Sequence, residues 1–201
     1  GIWARDRKRL EYILADAEID LARNEPEKAV AKLSRQLEIS PGNHPITMTY
    51  ARALMSNRQP HIAEEVLVAQ SRERPNDPGL WYLLAEVQGL SGNIAGLHQS
   101  RAEYFLLNGI LDEAERQLTY ALKLTKTDYH TTARINQRLR DLAELRQQIV
   151  GVDSTFETPF GERLLGPRAR HHVVRLVVGT RQVERHRTEL RARPTLQEQH
   201  L

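Results

Sequence analysis

A 34-residue repeat constrains the fold of this chain more than any other feature. The segments "PEKAVAKLSRQLEISPGNHP" and "PHIAEEVLVAQSRERPNDPG" align without a gap. The matched pairs are Pro26 with Pro60, Ala29 with Ala63, Leu33 with Leu67, and Pro41 with Pro75. In each segment the small residue lets two helices approach closely, the leucine one turn later fills the seam, and the second proline ends the helix because it cannot continue the hydrogen-bond ladder. The repeat therefore predicts stacked helices that bury their apolar faces against their neighbours.

The third copy of the repeat begins near Trp81. Another shift by one repeat length places Trp81, Leu84 and Ala85 on the large, large, small pattern of a first helix, and Gly92 at the turn after it. The pattern and the period are typical of the tetratricopeptide repeat (TPR). We therefore predict an all-α fold, a TPR-like superhelix of antiparallel helix hairpins, in which Trp81 belongs to the core.

The next turn glycine, Gly109, follows Gly92 after only half a repeat length. In the simplest arrangement, a helix at about 94–108 is the second helix of one hairpin and also the first helix of the next. Eight helices are predicted, at about 8–23, 26–39, 44–57, 60–73, 78–91, 94–108, 111–125 and 128–149. The last of them is long and has apolar residues on one face, which is typical of a capping helix.

Charge and composition divide the chain near residue 150. Residues 1–150 carry 20 Lys plus Arg and 20 Asp plus Glu, whereas residues 151–201 carry 9 Arg, no Lys and 6 acids. The neutral body lacks the basic stripe that nucleic acid requires, and no apolar run reaches the roughly 18 residues that span a membrane. We predict a TPR-like helical repeat domain at 1–150 and an Arg-rich tail at 151–201 that is poorly ordered or non-native.

Three interpretations of this tail are open. It could bind an acidic partner through its arginines, form a small β-hairpin from "HHVVRLVVG", or be translated sequence that was never selected to fold. The third interpretation is favoured, because the tail shows neither an alternating apolar pattern nor continuity with the repeats.

The residues indicate no catalytic site, no cofactor and no metal. The absence of cysteine excludes thiol catalysis and Cys-ligated zinc. "HIAEE" lacks the second histidine of a metalloprotease helix, and the histidines of "HHVV" lack the spacing and the third donor of a metal site. "GLSGNIAG" follows no strand, so its glycines are interpreted as turn residues. With no nucleophile, base and orienting group together, the chain is predicted to be non-catalytic.

The first helices of such a superhelix line a concave face that can bind a peptide or a loop of a partner protein. In the register of the repeat the inward positions are Leu14, Glu18, Met48, Arg52, Met55, Tyr82, Glu86, Gln99 and Glu103. We predict that partner binding uses Met48, Arg52, Met55, Tyr82 and Glu86. Methionine adapts its shape, tyrosine supplies contact area, and an arginine between acids can fix the register of a polar backbone.

Four stretches carry a closer resemblance to a known family. They are "YILADAEIDLARNEPEKAVAKL", "GLWYLLAEVQGLSGN", "RAEYFLLNGILDEAERQL" and "ARINQRLRDLAELRQQ". Together they resemble the C-terminal TPR domain of the BepA (YfgC) family, periplasmic zinc metalloproteases that act in outer-membrane protein assembly and quality control. The resemblance covers about residues 10–149 and includes the half-repeat and the long last helix, which ordinary arrays lack.

The resemblance implies a periplasmic protein-protein interaction module that docks substrates or the outer-membrane assembly machinery for such a protease. The family's HExxH zinc motif is not in this sequence, so proteolysis does not carry over, and zinc is implied only in a protease domain outside this chain. The chain is then expected to be part of a longer secreted protein, which would account for the absence of a signal peptide. The alternative is a stand-alone cytoplasmic TPR scaffold in a multiprotein complex.

Overall fold

The computed structural model describes the backbone of residues 2–155 and the side chains of residues 9–149. Helices and turns make up those residues, with no strand among them, and no described helix is long and apolar enough to cross a membrane. The helices are α1 (Ile2–Ala22), α2 (Pro26–Ile39), α3 (His44–Ser56), α4 (Pro60–Glu73), α5 (Pro78–Ser91), α6 (Ile94–Leu107), α7 (Leu111–Leu124) and α8 (Tyr129–Thr155). The predicted all-α, TPR-like superhelix is confirmed, and the predicted bounds of α2 to α7 agree within one residue.

The two outermost helices are longer than predicted. α1 begins at Ile2 rather than near residue 8, because residues 2–8 contain no Pro or Gly that would stop a helix. α8 continues to Thr155 rather than ending near residue 149. It passes through Gly151, since one glycine costs a helix only about 1 kcal/mol relative to alanine. Of the tail predicted at 151–201 only the backbone of 151–155 is described, so its three interpretations lie outside the described residues.

Equivalent caps begin the helices α3 and α5. Asn43 Oδ1 accepts a hydrogen bond from the Ile46 N–H at 3.3 Å, and Asp77 Oδ1, one repeat length later, accepts one from the Leu80 N–H at 3.2 Å. A proline stands in the first two positions of both helices, where no intrahelical N–H bond is lost. Gly92 ends α5 with a φ of 82°, a left-handed conformation that favours glycine. These local signals fix the helix bounds at the spacing of the repeat.

The repeat positions form the core. The small and large residues of the repeat that are 0% exposed are Ala29, Leu33, Ala63 and Leu67. Three apolar clusters follow one another along the stack, the first in α1–α3, the second in α3–α5 and the third in α6–α8. Trp81 packs against both the second and the third cluster, and its indole N–H donates to the Pro75 carbonyl at 2.7 Å. Trp81 is thus partly buried, and it packs against the core, as predicted, where the two clusters meet.

Helix α6 packs against α5 on one side and α7 on the other, which confirms the arrangement in which one helix serves two hairpins. Its first turn lies very close to its neighbours. A Cβ atom built at Gly96 would lie 2.5 Å from Asn93 Nδ2 and 2.7 Å from Gln88 Nε2. A side chain at this position would displace Asn93 and Gln88, which both donate hydrogen bonds to Glu64.

A cluster of polar side chains joins α4, α5 and α6 at the same place. Glu64 Oε2 accepts a hydrogen bond from Ser91 Oγ at 2.6 Å, and Glu64 Oε1 accepts one from Asn93 Nδ2 at 2.5 Å. Gln88, which is buried, accepts from Ser100 Oγ at 2.6 Å. These bonds tie three helices together where the spacing changes from a whole repeat to half a repeat.

Candidate functional site

The first helices lie on the inner side of the stack. α1 contacts α3 and α3 contacts α5, whereas α2 and α4 share no comparable contact among the described residues. Helices on the inside of a curved stack lie closer together than those on the outside, so α1, α3 and α5 line its concave side. We call the surface formed by α1, α3, α5, α6 and α8 the first-helix face.

The five residues predicted to bind a partner differ in how much of each side chain is exposed to solvent. Arg52 and Glu86 are exposed, and Tyr82 is 53% exposed. Met48 is only 8% exposed and belongs to the second apolar cluster, against which the partly buried Met55 also packs. The methionines therefore mainly fill the core, while Arg52, Tyr82 and Glu86 offer side chains to solvent. Partner binding by these residues remains a prediction.

Three charged residues occupy equivalent positions in successive first helices. Glu18, Arg52 and Glu86 are spaced one repeat length apart along the sequence, and all three are exposed. None of them forms an ion pair or a side-chain hydrogen bond with any residue that the structure describes. An extended polypeptide offers both N–H donors and C=O acceptors, so a row of alternating charge can hydrogen-bond to its backbone.

An aromatic pair lies beside this row. Tyr82 of α5 meets Tyr104 of α6 with ring centroids 5.5 Å apart and an interplanar angle of 61°, an edge-to-face arrangement. Tyr104 is partly buried and its ring also contacts Phe105. Sequence reasoning missed Tyr104. The signal that could have found it is the half-repeat, because that spacing places α6 directly against α5.

At the α6 and α8 end of the first-helix face, polar and charged side chains bind one another within the protein. We call this the closed end. Arg138 of α8 binds both carboxylate oxygens of Glu103, with Nε to Oε1 at 2.7 Å and Nη2 to Oε2 at 2.5 Å, and also lies 3.7 Å from Asp141. Arg134 donates to Gln99 Oε1 at 3.3 Å. Gln99 and Glu103, predicted to face inward, therefore hold α8 against α6.

These two arginines of α8, Arg134 and Arg138, were missed from the sequence. Arg134 follows Gln99, and Arg138 follows Glu103, at a distance one residue greater than the repeat length. The register search, continued by one helix with one residue of tolerance, would have found them.

No metal-binding geometry occurs in the part of the chain that the structure describes. No group of three or more His, Asp or Glu side chains there could hold a metal ion, so the described residues do not fit a zinc site. His61 is exposed at the start of α4, and His98 Nδ1 lies 2.7 Å from Gln117 Oε1. The histidines of "HHVV", His171 and His172, lie outside the described residues.

Comparison with known proteins agrees with this architecture. Residues 20–87 match the family model described as "Tetratricopeptide repeat". The "Beta-barrel assembly-enhancing protease" of Yersinia pestis is 29% identical over 131 residues, covering 65% of this chain and 27% of that protein. The protein of the same name from Escherichia coli (strain K12) is 26% identical over 137 residues, covering 68% of this chain and 28% of that protein.

The chain thus matches little more than a quarter of the length of these relatives, 27% of one and 28% of the other. The resemblance predicted from the four sequence stretches is confirmed over that region. Arrays of this kind are protein-protein interaction modules and are typically non-catalytic. The described part of the chain is therefore a TPR-like all-α superhelix whose sequence is similar to that of the beta-barrel assembly-enhancing proteases.

Proposed function

We propose that this region is the docking module of a periplasmic zinc metalloprotease and that it binds substrates or outer-membrane assembly machinery through the first-helix face. The observation that supports it best is the row of charges at Glu18, Arg52 and Glu86, which are exposed and unpaired among the described residues, beside the exposed ring of Tyr82. The name of the similar proteins supports the class of partner, since they are called proteases that enhance β-barrel assembly. In this proposal the region itself is non-catalytic, and zinc belongs to a protease domain outside these residues.

The proposed ligand is an extended or loop segment of an outer-membrane β-barrel protein before it has folded. Backbone C=O groups of such a segment accept hydrogen bonds from Arg52, and its N–H groups donate to Glu18 or Glu86. Its apolar side chains contact Tyr82, which supplies a large surface at a low cost in conformational entropy. A small metabolite would not span helices α1, α3 and α5.

A charge reversal at the centre of the row tests the proposal. Arg52→Glu places three acids together, so we expect the affinity for the segment to fall at least tenfold, about 1.4 kcal/mol. The measurement is fluorescence anisotropy with a labelled outer-membrane β-barrel polypeptide diluted from urea, using the full chain. Tyr82→Ala should also weaken binding, and the circular dichroism of both variants should remain helical.

Arg35→Glu is the matched control, because Arg35 is an exposed arginine on the second helix α2 and should not contact the ligand. It is expected to bind as the wild type does. Undiminished binding by both Arg52→Glu and Tyr82→Ala would show that the partner uses another surface. An equal loss in Arg35→Glu would mean that overall charge, and not the first-helix face, determines capture.

A further inference from the structure

Two glutamates of the first-helix face stand in equivalent positions but have different surroundings. Glu86 of α5 and Glu103 of α6 are half a repeat length apart in the sequence. Glu103 is held by Arg138, which contacts both of its carboxylate oxygens. Glu86 is exposed and has no partner among the described residues, although Arg52 stands at the equivalent position of the neighbouring first helix α3. The Glu86 carboxylate is therefore available to a ligand.

The surroundings of Glu86 suit a particular kind of cation. Tyr82 lies four residues earlier on the same face of α5, so its ring and the carboxylate are neighbours on the helix surface. The Tyr82 ring is 53% exposed, and it is held in place by its edge-to-face contact with Tyr104. A guanidinium group stacks on an aromatic ring and binds a carboxylate through two parallel N–H bonds, whereas an ammonium group has no such fork.

We propose that Glu86, Tyr82 and Tyr104 form a receptor for an arginine side chain of the partner segment. The guanidinium binds Glu86 with two hydrogen bonds, as Arg138 binds Glu103 within the protein, and lies against the Tyr82 ring. This inference rests on the proposed function of the first-helix face and adds the residue type that anchors the partner there. A partner segment that carries an arginine is preferred over one that ends in a free carboxylate, which Glu86 repels.

A pair of peptides that differ only in charge tests the receptor. The probe is a soluble, amidated peptide of about twelve residues with one central arginine, and its counterpart carries citrulline, which keeps the shape and removes the charge. Titrations followed by ¹H–¹⁵N NMR of the full chain are expected to show at least tenfold tighter binding of the arginine peptide. Glu86→Gln should remove that difference, and the control Glu65→Gln, at an exposed position of the second helix α4, should keep it.

The proposal is overturned if wild-type protein binds both peptides alike, binds neither up to the solubility limit, or if Glu86→Gln still prefers arginine. Capture of the β-barrel polypeptide is measured on the same protein sample. Capture without arginine preference would leave the proposed function standing and remove the receptor. Arginine preference without capture would keep the receptor and remove the β-barrel polypeptide as its partner.

Discussion

The two ends of the first-helix face use charged side chains differently. In α1, α3 and α5 the equivalent residues Glu18, Arg52 and Glu86 are exposed and unpaired within the described chain. In α6 and α8 the equivalent residues Glu103 and Arg138 are paired through two hydrogen bonds. Glu18, Arg52 and Glu86 follow one another at one repeat length along the sequence. Arg138 follows Glu103 at one repeat length plus one residue. One array can therefore keep one end open to a partner while the other end satisfies its own charges and fixes the last helix.

The largest expected effect concerns the cores of the two regions. Leu67 is 0% exposed in the second apolar cluster and Leu118 is 3% exposed in the third. Leu67→Ala and Leu118→Ala should each lower the free energy of unfolding by about 2–5 kcal/mol, because each leaves a cavity. Since Trp81 packs against both clusters, we expect a single unfolding transition in each variant.

Urea unfolding followed by circular dichroism, together with amide hydrogen exchange of α2 and α7, measures this coupling. If Leu118→Ala opens α6–α8 while the amides of α2 keep their full protection, the two regions are independent units. The contact of Trp81 with both clusters would then be too weak to couple them.

A second prediction compares a paired arginine with an unpaired one. Arg138→Gln leaves Glu103, whose side chain is 17% exposed, without its cation. We expect a loss of about 1.5–3 kcal/mol, the typical worth of hydrogen bonds to a charged group. Arg52→Gln should change the stability by less than about 0.5 kcal/mol, because Arg52 makes no side-chain bond in the described region. Thermal unfolding of both variants measures these changes in stability. Equal losses of stability in the two variants would contradict the division into an open and a closed end.

The smallest expected effect is at the junction between α3 and α5. His44 Nε2 lies 2.9 Å from Asp77 Oδ2. Burial lowers the pKa of His44 below its ordinary value of 6.5, although the charge of Asp77 opposes the shift, and the charge of Arg74 adds to it. The unfolded chain therefore binds a proton more readily than the folded one. Stability from neutral His44 is complete above pH 6.5 and is lost as the pH falls from 6.5 towards the lower folded-state pKa.

Melting temperatures between about pH 7.5 and pH 5 test this dependence. His44→Gln should flatten the fall in stability below pH 6.5, while the control His61→Gln, at an exposed position of α4, should keep the wild-type slope. A slope that His44→Gln leaves unchanged would assign the acid sensitivity to other groups.

The sequence predicted the bounds of α2 to α7 because their signals are local. Asn43 and Asp77 cap helices through side chains that reach only three residues along the chain, and Gly92 ends α5 by its own backbone conformation. The repeat length then follows from the number of residues between equivalent signals, such as Asn43 and Asp77. For the same reason the arrangement in which α6 serves two hairpins could be read from the spacing of two glycines, Gly92 and Gly109.

Local signals do not determine how deeply a side chain is buried or which charged side chains form hydrogen bonds with each other. The register shows that Met48 faces inward, but its 8% exposure depends on how closely α3 and α5 approach. The spacing along the chain makes Arg138 a candidate partner of Glu103, but the two hydrogen bonds between them depend on where α8 lies across α6. The register therefore predicts which residues face inward, and Arg52, Tyr82 and Glu86 are exposed there, whereas the ring contact of Tyr104 and the hydrogen bonds of the closed end are seen only in the structure.

The double role of α6 also changes which of the later helices lie on the inside of the stack and which lie on the outside. In a stack made only of hairpins, odd-numbered helices lie inside and even-numbered helices lie outside. Because α6 counts once as a second helix and once as a first helix, α7 becomes an outer helix and α8 an inner one, where Arg134 and Arg138 reach α6. One extra half-unit can thus exchange inside and outside for everything that follows it, without any change within the repeats themselves.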